Sequence, residues 1–245
     1  MIIVDANWEL RNLGVTTQEV LIEENDTLED IQINLDKLDA EYLVIKVPVG
    51  KIDAMWKLED EGFHYIETNI HVVHNLDKMG LTPLLSRIDN EILYYPMDEN
   101  DIIKMKEEIK KGLFYTDRIA LDKHFTLEQS ASRYIGWIED EYKRGTELFK
   151  YVYRGKDVGF FTFKDLGEGV YYPFLAGIYK DFQKSPLGLV YLYKPLLEAR
   201  ARNGKMISTY ISLNNSNATR MHVQFGFEFK EMTNVYIKHV DNRMG

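Results

Sequence analysis

The sequence predicts an α/β protein: a mixed sheet flanked by helices, with a smaller β-α-β-α-β unit ahead of a larger one. Three observations carry this. Through residues 16–74, strand-like alternation and helix-like spacing of apolar residues take turns. In residues 147–178, three strands at hairpin spacing follow two amphipathic helices. And one helix–turn–strand unit occurs twice, 164 residues apart: Gly62-Phe63 aligns with Gly226-Phe227, Ala54 with Ala218 and Glu67 with Glu231.

Residues 16–24 read as a strand. Residues 27–38 place Leu28, Ile31, Leu35 and Leu38 at helical spacing behind an N-cap at Thr27 or Asp26. Residues 42–48 form a buried strand that Pro48 ends, and 51–63 a helix that Gly62 stops. Residues 64–74 are a further strand. The polar, turn-prone stretch 77–91 is expected to link a unit of 1–76 to one of 92–245. In that second unit, 98–112 is an amphipathic helix, acidic at its start and lysine-rich at its end, as the helix dipole prefers. Residues 126–145 form another, with Thr126 and Gln129 spaced as a capping box. Strands at 147–154, 157–163 and 168–178 are separated by the turn-formers RGKD and DLGEG. A long helix is expected from about Pro186 to Asn203, kinked by Pro195 and ended by Gly204. Strand 205–212, a short helix and strand 228–239 follow.

The chain has 245 residues, a formal net charge of -9 and no cysteine. An acidic balance argues against a nucleic-acid partner, which needs a basic face. Disulfides, thiolate metal sites and thiol nucleophiles are excluded. No stretch reaches the ~18 consecutive apolar residues of a membrane helix, and residues 1–11 do not read as a signal peptide. A soluble, cytoplasmic monomer or homodimer without a membrane partner is expected. No histidine–carboxylate spacing points to a metal.

Two segments carry chemistry. In LAGIYKDFQKSPLGLVYL (175–192) a strand runs into a polar turn and a helix start. Ser185 suits the N-cap, Pro186 the first helical position, and Gly188 lies in the first turn. The free N–H groups of such a turn bind phosphate, glycine permits close approach, and Lys184 adds a cation. Alone, the segment is also an ordinary strand–turn–helix. In NNSNATRMHVQFGF (214–227), a short helix carries His222 on its inner part before the Gly-Phe turn. The first copy has Leu58 there, which does no proton chemistry.

Together the segments resemble the GNAT superfamily of N-acetyltransferases: strand, Q-x-x-x-x-G helix start, long helix, strand, then N-x-x-A-x-x-(apolar)-x-x-x-(apolar)-G-F. The match runs from about residue 92 to 239 and rests on Gln183, Gly188, Asn215, Ala218, Met221, Phe225, Gly226 and Phe227. The resemblance implies a GNAT-like central sheet preceded by a half-GNAT-like unit. It implies acetyl-CoA as co-substrate and direct attack of a small primary amine on the thioester. The cofactor would lie against Leu175, Ala176, Gly177 and Ile178, whose amides would hold the carbonyl oxygen. Gln183, Lys184, Ser185, Pro186, Leu187, Gly188 and Leu189 would cradle its pyrophosphate, with Asn215 and Ala218 along the pantetheine. His222 falls where the family's acid tyrosine usually stands. An imidazolium can protonate a thiolate, and its ordinary pKa of ~6.5 is nearer neutrality than tyrosine's ~10. Pro186 replaces a usual loop glycine and removes one donor.

Within the superfamily, TDRIALDKHF (116–125) looks like the R-x-x-x-D-x-x-F stretch of the dTDP-fucosamine acetyltransferase type. That resemblance implies a nucleotide-linked amino sugar as acceptor, with Arg118 and Asp122 holding a sugar hydroxyl. Separately, Tyr171 and Tyr172 alternate on a central strand, so that one faces the cofactor side, and Tyr172 is the one expected at the substrate. By residue type alone, Arg118 and Asp122 are equally an i, i+4 ion pair, and Tyr172 equally a core side chain. His124 reads as a loop residue or a proton relay, and His71 and His74 as facing solvent or a seam. A rival reading keeps the fold without turnover: an acyl-CoA-sensing or interaction module, favoured by Pro186, His222 and the Leu58 copy.

Overall fold

The computed structural model describes residues 1–189 and 191–240. It opens with β1 (Ile2–Asp5), α1 (Asn7–Leu13) and β2 (Thr17–Leu21). Next come α2 (Leu28–Leu35), β3 (Tyr42–Pro48), α3 (Ile52–Asp60) and β4 (His64–Asn75). The stretch 77–91 holds the end of a 3-10 turn and α4 (Pro83–Asn90), whose Leu85 is buried in the core. The chain continues through β5 (Ile92–Pro96), α5 (Glu99–Lys110), α6 (Arg118–Leu121) and α7 (Leu127–Lys143). The meander is β6 (Glu147–Tyr153), β7 (Lys156–Asp165), β8 (Val170–Tyr172) and β9 (Ala176–Ile178). Last are α8 (Tyr193–Ala201), β10 (Met206–Ser212), α9 (Ser216–Gln224) and β11 (Glu228–His239). Local chemistry sets several boundaries. Thr27, Asp98 and Thr126 each cap a helix and are capped in return by the residue three positions on.

Two expectations fail at proline. The strand foreseen over 168–178 is two strands, because Pro173 has no N–H to donate and the chain changes partner there. The helix foreseen from Pro186 begins only at Tyr193, after a 3-10 turn at Pro186–Leu189. Pro195 therefore sits in the first turn of α8, where its missing N–H breaks no helical bond, and no kink is required.

The repeat is structural. β3, α3 and β4 have the bounds of β10, α9 and β11 shifted by 164 residues. Both helices end alike: Gly62 and Gly226 adopt positive φ (80° and 75°). Phe63 N–H donates to Leu58 O, and Phe227 N–H to His222 O.

The strand order is β1-β2-β3-β11-β4-β10-β8-β7-β6-β5, with β9 on β7. Each repeat thus lends its last strand to the other. β11 lies between β3 and β4, while β4 lies between β11 and β10. The register keeps the same symmetry. Tyr42 pairs with His239 as Met206 pairs with Asn75, and Asn69 faces its own counterpart, Thr233. On one face, α2 and α3 pack over β3, and α4, α8 and α9 over the second repeat. α1 and α6 cover the opposite face of β3, and α5 and α7 that of the meander.

Candidate functional site

The two repeats differ where their parallel strands meet. β2 and β3 stay paired over five residues, from Thr17↔Tyr42 to Leu21↔Lys46. β8 and β10 pair only at Met206↔Val170 and Ile207↔Tyr171. Beyond Pro173 the chain swings away to form β9 against β7, while β10 continues along β4. Thr209 Oγ1 donates to Pro173 O (3.0 Å) at the fork. The splay leaves a cleft of about 150 Å³ in the second repeat.

Leu175 and Ala176 line one wall of this cleft, and Asn215, Ala218 and His222 line another. Leu175 N–H is spent on Thr162 Oγ1 (3.0 Å), and its carbonyl accepts from Thr162 N–H (2.8 Å). Tyr179 N–H donates to Val158 O. Because an antiparallel ladder alternates, the Gly177 amide also faces β7, and those of Ala176 and Ile178 face the opening. Of the four amides expected at the thioester, these two have that direction. Gly159 makes the tight pairing possible: a Cβ there would meet Gly177 O at 2.2 Å.

α9 is placed by Asn215, whose side chain accepts from Ala218 N–H (3.0 Å). His222 is 3% exposed, with its ring edge-on to Phe227 at 4.6 Å. Nδ1 lies 2.8 Å from Ala218 O and must carry the proton, since a carbonyl only accepts. Burial lowers the His222 pKa to about 4, and the bond to Ala218 only partly offsets this. At neutral pH the ring is neutral, with a lone pair at Nε2. The imidazolium expected from the sequence is therefore a minor form at neutral pH.

The loop expected at the pyrophosphate is compact. Gln183 N–H and Ser185 N–H turn inward onto Lys180 O and Phe182 O. Leu187 N–H points at Ser185 Oγ (3.4 Å), and Gln183 Nε2 donates to Ile178 O (3.2 Å). Pro186 opens a 3-10 turn, Leu187 is buried, and Gly188 has open space where a Cβ would stand. Lys184 is exposed and makes no salt bridge among the described residues. The Leu189 side chain lies outside the described residues.

The 116–125 stretch divides. Arg118 is buried and paired with Glu9 (3.0 Å) and Glu19, not with Asp122. Despite burial, Arg118 and Lys46 hold the Glu19 carboxyl well below its usual range. Asp122 accepts from His124 and His239 instead. Neither Arg118 nor Asp122 lines the cleft, whereas Thr116 and Asp117 do. Tyr172 packs beside Phe174 and edge-on to the cleft residue Tyr210, and burial pushes its pKa up. His74 is buried rather than facing solvent, and packs across the two expected units against Phe227.

The sequence reading missed the far end of the cleft. Asp117 accepts from Tyr134 OH (2.7 Å), and Ser212 completes the wall. Next to Ser212 lies Glu67 from the exchanged strand β4, 3% exposed, with Oε2 unpartnered. Burial raises its pKa. No local signal marks Glu67, because its neighbours come from the other repeat.

Solved structures share this architecture. A GCN5-related N-acetyltransferase from Sphaerobacter thermophilus superposes with a TM-score of 0.56 at 14% identity, covering 86% of this chain and 64% of that one. The fold is that of the GCN5-related N-acetyltransferases. A tandem GNAT protein of the clavulanic acid biosynthesis pathway gives 0.53 at 13% identity, covering 92% of this chain and 77% of that one. The glucosamine N-acetyltransferase region of a fungal multi-domain GH3 β-N-acetylglucosaminidase gives 0.63 at 8% identity, covering 96% and 30%. The chain spans 64% of the Sphaerobacter protein's length. No family model matches the chain, and no curated protein does. Among the described residues, no helix is long and apolar enough to cross a membrane.

Proposed function

We propose that the chain is an acetyl-CoA-dependent N-acetyltransferase that acts on a primary amine of a small molecule. One observation carries the reading: in a GNAT fold, the parallel pairing of β8 and β10 breaks after two residues and opens a cleft beside α9. In the first repeat the corresponding parallel strands stay paired over five residues. The thioester would lie in the splay, with the amides of Ala176 and Ile178 toward its carbonyl oxygen. The ammonium first gives up one proton to free the nitrogen lone pair. The nitrogen then bonds to the thioester carbon, the carbon–sulfur bond breaks, and a second proton leaves the nitrogen as the amide forms, balancing the charge of the departing thiolate. In this reading the first of these protons passes to Glu67, which lies next to Ser212 of the cleft wall, is raised in pKa and is unpartnered at Oε2. Asp117 gives the same end a negative charge that suits a cationic acceptor. His222 borders the cofactor side as a neutral ring. In this reading it accepts a hydrogen bond at Nε2, and the thiolate leaves without a proton from it.

Nucleotide-linked amino sugars remain the acceptor class that the 116–125 resemblance suggests. The fungal neighbour is named for glucosamine. The rival, an acyl-CoA-binding module without turnover, draws on the compact Pro186 loop and the neutral His222. The test is thermal unfolding with acetyl-CoA and CoA, then an amine screen by thiol release, which a cysteine-free chain allows without background. A ligand at ~100 times its Kd adds ~2.7 kcal/mol. A shift with turnover supports the enzyme, and a shift without turnover on amino sugars, polyamines or amino acids supports the rival. No shift at millimolar ligand overturns both.

A further inference from the structure

We propose that Asp122, His124 and His239 form a binding site for a divalent ion of the zinc class, outside the cleft and independent of the acetyltransferase reading. Asp122 follows α6 directly, and its carboxylate side chain is 2% exposed. Oδ1 accepts from the backbone N–H of His124 and lies 3.0 Å from His124 Nδ1. Oδ2 lies 2.7 Å from Nε2 of His239. The two imidazoles stack at 4.0 Å, and His239 is fixed from its other side by Tyr42 at 4.7 Å. The carboxylate and both rings are therefore held close together before any ion arrives, and a tilt of the stacked rings brings their lone pairs to a common point.

All three ligand atoms fall within 4.8 Å of one another. Ligand atoms around a tetrahedral zinc, each at ~2.0–2.1 Å from it, stand ~3.3 Å apart. Opening the two hydrogen-bonded pairs by roughly 0.3 and 0.6 Å, with the two ring nitrogens brought to the same spacing, admits the ion. Each ring then moves its proton to its other nitrogen, so no charge is lost from the protein. Two imidazole nitrogens with one carboxylate select zinc, cobalt(II) or nickel(II) over magnesium and calcium, which take oxygen. The His124 side chain is 51% exposed, which leaves the remaining coordination positions to water.

The place gives the site a consequence. His239 ends β11, the strand lent to the first repeat, and Asp122 ends α6. The residue before α6 is Asp117, in the cleft wall. A bound ion staples the lent strand to the helix that carries the far end of the cleft.

Zinc and cobalt(II) are titrated into the full chain by calorimetry, with cobalt also followed by its visible ligand-field absorption and zinc by thermal unfolding. The expected result is one saturable site per chain of roughly micromolar affinity, a raised Tm, and no response to magnesium. D122N and H239Q should abolish it. H124A, at a half-exposed side chain, should weaken it about tenfold or more while the urea midpoint of the metal-free chain reports any change in the fold. Absence of saturable binding at millimolar zinc, or unchanged affinity in H124A, overturns the site.

Discussion

Replacing His222 by leucine isolates one buried histidine, since leucine is what the first repeat carries there, fully buried as Leu58. The folded chain lowers the His222 pKa to about 4, against ~6.5 unfolded. The unfolded chain therefore takes up a proton below pH 6.5 that the folded chain refuses until about pH 4. Stability contributed by the neutral ring is complete above pH 6.5 and is lost as the pH falls through that window. Between pH 7 and pH 5 the two pKa values give a loss of about 2 kcal/mol. Urea unfolding of wild type and H222L at pH 5, 6 and 7 measures it as the difference of two slopes. Other titrating groups, His74 among them, are common to both proteins and cancel. NMR titration of the ring should show it neutral down to pH 5. Equal slopes, or a ring that titrates near pH 6.5, would refute the burial argument. They would also restore His222 as an acid.

Two further substitutions test the site. T162V leaves Leu175 N–H without its hydroxyl partner, which should cost about 1–3 kcal/mol and weaken acetyl-CoA binding by loosening β9; unchanged urea midpoints would mean that the amide has another acceptor. R118M takes one of two cations from Glu9 and from Glu19, which keep Arg133 and Lys46, so a loss of about 1–3 kcal/mol is expected with no selective rise in the amine KM. Full stability with a raised KM would return Arg118 to the substrate.

Much of the fold was legible because it is written in local chemistry. Strands 42–48 and 228–239 were read at their observed bounds, since alternation and the flanking Pro48 and Gly226 act within a few residues. The repeat was legible for the same reason: its Gly-Phe turns need positive φ at the glycine, and few residues supply it. β1 and α1 were not read. All four residues of β1 are exposed, so burial imposed no pattern on them.

By itself, then, the sequence determined most of the elements, the duplicated unit and which copy could hold a functional group, because caps, turns and apolar spacing are short-range. Only the tertiary structure decided which strand neighbours which. The lending of β4 and β11 between repeats depends on pairings across more than 130 residues. That exchange puts Glu67 beside Ser212, and packing of the remote Glu9 and Glu19 takes Arg118 out of the substrate's reach. The charge state of His222 was decided there too, because a histidine's pKa follows the water its neighbours exclude, and no stretch of sequence states how much that is.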